Sequence, residues 1–122
     1  MAEIRYNKTH EYIKLENGTY YLGISDHAQH ELGDITFVEL PAVGAEFAAG
    51  DVCSTVESVK AVAEAYAPID LKVTGVNDKL EDTPELINQD AQGEGWILTV
   101  ELADPGKYET LMDQAAYDAM DK

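Results

Sequence analysis

A second cysteine is missing from this chain. Cys53 stands alone, so no intramolecular disulfide can form and nothing points to an oxidising compartment. It lies in the alternating, strand-like run Val52-Cys53-Ser54-Thr55-Val56, where a packed, inert thiol is expected. Positive charge is nearly as scarce: eight Lys and Arg face 24 Asp and Glu, for a net charge of −16. That balance argues against nucleic acid as a partner, since phosphate binding needs clustered Lys and Arg. It also disfavours adhesion to an anionic membrane. No apolar run approaches the length of a membrane span, and Met1-Ala2-Glu3-Ile4-Arg5 lacks the apolar stretch of a signal peptide. A cytoplasmic, bacterial protein is the expectation; a mitochondrial precursor already trimmed of its transit peptide would look similar.

The common catalytic signatures are absent too. There is no G-x-G-x-x-G, no Walker loop, no G-x-S-x-G and no His/Cys cluster at metal-ligand spacing. His27 and His30 lie three apart beside Asp26 and Glu31. Two histidines without a third convergent ligand read as capping or surface groups, so no metal is expected. Gly93-Glu94-Gly95 is too short to cradle a phosphate and reads as a turn. No base–nucleophile pair stands out, so no catalytic residue is expected; such an absence suits a carrier, which needs an attachment point and docking surfaces but no acid, base or nucleophile of its own.

What is present is a single domain's worth of short strands. At 122 residues and 45% apolar composition, 1–122 fits one domain with a modest core. Tyr12–Leu15 and Thr19–Leu22 flank Asn17-Gly18, whose tolerance of positive φ predicts a tight hairpin. Ser25 or Asp26 and Gly33 bracket a two-turn helix. Ile35–Leu40, Val52–Val59, Val73–Val76 and Trp96–Leu102 read as strands, the last apolar enough to be central. Thr83-Pro84 reads as a capping hydroxyl followed by a first-turn proline, Asp104-Pro105 starts a short helix, and Asp113 caps another. Many short strands with close turn signals predict a mainly β fold, a flattened barrel or sandwich with short peripheral helices.

One lysine breaks the pattern. Lys60 is the only Lys or Arg between Lys14 and Lys72, a stretch that holds ten carboxylates. It falls at the turn between Val52–Val59 and the segment leading to Tyr66-Ala67-Pro68, so a hairpin would present its amine at the tip. Read alone, it is an exposed turn lysine.

Its neighbours add to that reading. Glu57-Ser58-Val59-Lys60-Ala61 resembles the lipoylation site of the glycine cleavage system H proteins. Thr9-His10-Glu11-Tyr12 resembles that family's early H-E-aromatic motif. Gly23-Ile24-Ser25-Asp26-His27-Ala28-Gln29 with Leu32-Gly33-Asp34, then Val38-Glu39-Leu40-Pro41, are similar to its next blocks. Asn77, Leu80, Pro84–Asn88 and Gly93–Trp96 follow in register.

The resemblance implies a lipoyl/biotinyl-type fold with a lysine at a hairpin tip. It implies lipoate in amide linkage to Lys60, with Glu57, Ser58, Val59 and Ala61 read by the lipoylating enzymes. It implies a monomeric, non-catalytic carrier. Such a carrier passes an aminomethyl intermediate from a pyridoxal-phosphate glycine decarboxylase (P protein) to an aminomethyltransferase (T protein), and its dithiol to a dihydrolipoyl dehydrogenase (L protein). By position, Thr9, Glu11, Ile24 and Glu64 would line a pocket for the loaded arm, the carboxylates favouring its ammonium form. Apart from the resemblance, Glu11 and Glu64 read as solvated surface carboxylates. Two departures stand out: Ile69-Asp70-Leu71 replaces the usual V-S-G, and Glu64 stands where aspartate is common. Asp70 can serve a turn through its side chain, so the hairpin is expected to survive. The departures keep a second role in view, an H-like relay that donates lipoyl groups to other complexes or serves a different modifying enzyme.

Overall fold

Asn17 and Gly18 take φ of 52° and 80°, the left-handed pair that lets two strands reverse without splaying. In the computed structural model, which describes residues 2–120, they join β2 (Glu11–Glu16) to β3 (Thr19–Ile24). The two pair antiparallel from Glu16↔Thr19 to Glu11↔Ile24. β1 (Glu3–Tyr6) adds to the outside of β2. On the other side β3 meets β9 (Leu98–Leu102), which meets β8 (Leu71–Val76), and β8 carries the short β5 (Glu46–Phe47). The predicted Trp96–Leu102 strand begins only at Leu98, and this β9 is interior in the sheet, as its apolar character predicts.

A second, three-stranded sheet runs β4 (Ile35–Glu39), β6 (Val52–Ser58), β7 (Val62–Tyr66), all antiparallel. Its inner face sets Ile35, Val38, Val56 and Ala65 against Ile13, Leu22, Val73 and Leu98 of the large sheet in one apolar cluster. Ile35 and Val38 are three residues apart, a spacing that regular two-residue alternation would place on opposite faces. A register shift between Ile35 and Phe37 resolves this. An extra residue in β4 keeps both apolar side chains inward and turns Phe37 and Glu39 to the outside.

The helices sit at the periphery. Ser25 caps α1 (Asp26–Leu32) by accepting from the Ala28 N–H, and Gly33 closes it at φ 76°. Asp113 likewise caps α4 (Gln114–Ala119) through the Ala116 N–H. Pro105–Thr110 forms a 3-10 helix started by Asp104, with Tyr108 buried. Tyr117 of α4 stacks on Tyr6 at 4.2 Å and joins Tyr6 and Tyr12 in a small aromatic cluster. The Thr83-Pro84 reading needs correction. Thr83 closes a short helix α2 (Lys79–Asp82) that the sequence did not suggest, and α3 (Leu86–Asp90) begins beyond it without a side-chain cap. The Thr83 and Pro84 carbonyls instead accept from Leu86 and Ile87 in tight i to i+3 turns.

Asn88 on α3 ties this periphery to the start of the small sheet. Its Oδ1 accepts from Ile35 N–H at 2.8 Å, while Nδ2 donates to Gly33 O at 2.8 Å and to Gln29 Oε1 at 3.0 Å. Replacing it leaves the Ile35 N–H without its acceptor where β4 begins. Asn88→Ala should cost about 1–3 kcal/mol of stability, read as a lowered urea midpoint with unchanged m-value. A midpoint within error of wild type would show that solvent replaces these bonds.

Candidate functional site

Ser58 shapes the tip of the β6–β7 hairpin. Its backbone N–H donates to Ala61 O at 2.8 Å, and its Oγ accepts from the N–H groups of Ala61 and Lys60 at 3.1 and 3.3 Å. Val59 N–H donates to Asp34 O at 3.0 Å, pinning the tip to the segment after α1. Turn donors are thus satisfied locally, and Val59, Lys60 and Ala61 project into solvent. Among the described residues Lys60 forms no ion pair within 4.0 Å.

The stem of Lys60 crosses Gly33. A Cβ built on Gly33 would lie 3.6 Å from Lys60 Cε. Gly33 adopts φ 76° with ψ −155°, a region essentially reserved for glycine. The same residue therefore ends α1 and lies under the lysine stem, which a side chain there would meet in ordinary van der Waals contact. Asp34 follows immediately and supplies the carbonyl that holds Val59. Neither Gly33 nor Asp34 stood out as a site residue in the sequence, although both lie in the Leu32-Gly33-Asp34 block.

The four residues expected to line an arm pocket, Thr9, Glu11, Ile24 and Glu64, fall into two environments. Glu11 is 1% exposed, which corrects its reading as a solvated surface carboxylate. Its Oε1 accepts from the Thr9 hydroxyl and, at 3.2 Å, from Asn7 Nδ2, and its Oε2 accepts from Tyr66 N–H at 3.1 Å. Ile24 is its ladder partner and belongs to the core. Burial pushes the Glu11 carboxyl above the usual carboxylate range, with the Thr9, Tyr66 and Asn7 donors acting in the opposite direction. Glu64 is exposed and accepts from the Tyr66 hydroxyl at 3.3 Å. Its charge raises the Tyr66 phenol above its ordinary value.

Tyr66 is the residue that sequence reasoning missed. Its backbone holds Glu11 and its phenol meets Glu64, so it joins the two carboxylates that lie far apart in sequence. The available signal was the two-residue steps from Val62 to Glu64 to Tyr66, which put all three side chains on one face of β7.

The remaining candidates are settled by burial. Cys53 is buried against Ala65 O at 3.5 Å, and burial, reinforced by the Glu11 charge, pushes its thiol up to about 12. A thiol held there is not a nucleophile near neutral pH. His27 approaches Glu31 at 3.7 Å and its ring lies 4.9 Å from that of His10. Among the described residues no three His, Cys, Asp or Glu gather to hold a metal, and no helix is long and apolar enough to cross a membrane. Asp70 does act through its side chain: Oδ1 accepts from Ala49 N–H at 2.8 Å, across to a neighbouring loop. Leu71 beside it is buried between Phe47 and Leu102. The departure from V-S-G is accommodated by a polar tether and an added core residue.

Comparison with known proteins finds relatives over nearly the whole chain. The family model described as "Glycine cleavage H-protein" matches residues 4–122. The glycine cleavage system H protein of Thermotoga maritima is 48% identical over 113 residues, covering 93% of this chain and 91% of the relative. That of Escherichia coli K12 is 47% identical over 120 residues, covering 98% and 93%. A crystal structure of a glycine cleavage system H protein from Mycobacterium marinum superposes with a TM-score of 0.84 at 33% identity, over 94% of this chain and 93% of that one.

The two glutamates should behave differently on substitution. Glu11→Ala strands the Tyr66 N–H and should cost about 1–3 kcal/mol, whereas Glu64→Ala should stay within about 0.5 kcal/mol of wild type. Urea denaturation at neutral pH measures both. Glu11 also carries a pH signature. Because the native state holds its proton more tightly than the unfolded chain, its contribution is full below the ordinary glutamate value of about 4.3 and fades as pH rises through the raised native value. The stability difference between wild type and Glu11→Gln should therefore favour wild type most at the acid end. A difference that stays flat with pH would contradict the assigned burial.

Proposed function

The chain belongs to the glycine cleavage H-protein family, and on that footing we propose that it is the lipoyl carrier of a glycine cleavage system, with lipoate in amide linkage to Lys60. The observation that carries the assignment is the presentation of Lys60: an exposed amine at a hairpin tip, unpaired among the described residues, with its stem over Gly33. Acylation abolishes the charge of a lysine. At Lys60 that breaks no ion pair and buries no polar group, so the site accepts the modification without loss of stability. Bound there, lipoate would supply a dithiolane able to take up an aminomethyl group and, on reoxidation of the dithiol, to return to the disulfide.

The chain's own residues tether and shelter. Ser58 and the Asp34 carbonyl fix the tip from which the arm swings. Glu64 and the Tyr66 phenol, exposed along β7, offer a carboxylate and a hydroxyl to a cationic amine. Glu11, whose oxygens already accept from Thr9, Asn7 and the Tyr66 N–H inside the protein, acts in this reading as the support that holds Tyr66 in place, with Thr9 and Ile24 as its neighbours. Glu57, Ser58, Val59 and Ala61 surround the amine and are what a lipoylating enzyme meets first. The pyridoxal-phosphate decarboxylase, the folate-dependent aminomethyltransferase and the flavin-dependent dehydrogenase would bring the chemistry. The buried, weakly acidic Cys53 thiol supports a non-catalytic part for this chain.

Intact mass after co-expression with a lipoylating enzyme should show a single lipoyl addition. Lys60→Ala and Lys60→Arg should both abolish it, arginine because its guanidinium is not an acylation nucleophile at neutral pH. Lipoylation mapped to another lysine would remove the assignment. The lipoylated protein alone should leave glycine untouched and support its decarboxylation only when the pyridoxal-phosphate partner is added. Turnover without partners would place an active site in this chain.

A further inference from the structure

Three of the large apolar side chains left exposed by the fold gather around Lys60. Phe37 is 49% exposed, Val59 68% and Val62 66%. Strand register makes the grouping definite. Phe37 pairs with Glu57, and Glu57 pairs with Val62, so the three form one row across β4, β6 and β7 on the outer face. The next row is Glu39, Thr55 and Glu64. Val59 completes the apolar set at the tip itself. The face thus sets two apolar side chains, Phe37 and Val62, on either side of Glu57, with Glu39 and Glu64 in the next row and Val59 beside the lysine. None of Glu39, Glu57 and Glu64 pairs with a base within 4.0 Å among the described residues.

Resting on the reading of Lys60 as the acylated residue, we propose that this outer face is the docking surface for the enzyme that forms the amide, and that the enzyme meets it with an apolar slot bordered by Lys and Arg. The choice of occupant follows from reach. An unmodified lysine brings its amine only one side chain away from the backbone, so an enzyme that acylates it must close over the tip and over the row beside it. Enzymes that act on the far end of a loaded arm can stand off from that row. Charge excludes a second copy of this chain as the occupant: a two-fold contact would set Glu39, Glu57 and Glu64 against one another. Among the described residues Lys60 is the only Lys or Arg on β4, β6, β7 or the β6–β7 turn, and it has to enter the active site. In the reaction an acyl adenylate, the mixed anhydride of lipoate and AMP, is attacked at its acyl carbon by the lone pair of the Lys60 amine. The C–N bond forms, AMP leaves with the electron pair of the broken acyl C–O bond, and the amine's proton passes to solvent.

The test is steady-state acylation of the unmodified full chain by a lipoate–protein ligase supplied with lipoate and ATP. Phe37→Ser combined with Val62→Ser should raise the KM for the chain about tenfold or more, with kcat changed less than about twofold. Phe37→Leu should stay near wild type, because it keeps the apolar contact. Added NaCl should raise the wild-type KM, and should raise it less for Glu39→Gln. Reaction of Lys60 with a small succinimidyl ester should be the same in every variant. An unchanged KM in the double variant, with native circular dichroism, overturns the docking face while leaving Lys60 as the acylated residue. Ester reactivity that falls together with acylation overturns it as well, since the effect would then lie in the tip. A wild-type dimer in sedimentation that Phe37→Ser dissolves would give the face to a second copy and overturn the proposal. A wild-type chain that the ligase leaves unacylated overturns the reading on which the proposal stands.

Discussion

Alternation along β6 and β7 is the constraint on which the rest of this molecule depends. Val56 and Ala65 are committed to the core between the two sheets. Once they face inward, Thr55, Glu57, Val62 and Glu64 must face outward, because successive strand residues point to opposite sides. The tip is equally constrained, since the hairpin has to reverse between Glu57 and Val62, which are ladder partners. Ser58 closes that reversal with its own side chain, and the residue left at the apex is Lys60. Burial of a few apolar side chains on one face thus decides where the amine and its surrounding carboxylates can be.

Charge is distributed to suit that geometry. The only base of a long acidic stretch stands at the tip, unpaired among the described residues, where charge neutralisation disrupts nothing. The one glutamate that lies buried, Glu11, is kept inside by donors from Thr9, Asn7 and the backbone of Tyr66. A buried carboxylate is expensive unless it is so satisfied. Here it also occupies the backbone N–H of the last residue of β7, a strand at the edge of its sheet. An edge N–H engaged by a carboxylate is not open to pairing with another chain. Glu11 therefore stabilises the end of the strand on whose face Glu64 is displayed.

The departure at Asp70-Leu71 illustrates how a local change is absorbed by distant groups. Glycine in V-S-G offers backbone freedom, which this chain gives up. In exchange Asp70 tethers the Ala48–Asp51 turn through Ala49, and its carbonyl accepts from Ala103 N–H. Leu71 adds a buried side chain to the core. The connection from β7 to β8 is held by these contacts without a glycine, and the lysine hairpin upstream keeps its closed register.

Much was legible in the residues themselves, for reasons of local physics. Asn17-Gly18, Ser25, Gly33 and Asp113 act through backbone preferences and capping bonds spanning a few positions, so the hairpin and two helix starts follow from the chain alone. The mainly β class follows from period-two runs, and the isolation of Lys60 in charge is a property of the sequence. Tertiary structure decided what depends on distant partners. The burial of Glu11 required β7 to lie over β2, and the pairing of Tyr66 with two glutamates required both sheets. The exposure of Phe37 depended on a bulge in β4, which shifts a strand's facing without altering its composition. Thr83-Pro84 misled because the same hydroxyl–proline signal can close one helix as readily as open the next. The lysine was set by the order of residues; the surface that presents it exists only where three strands, far apart in the chain, come into register.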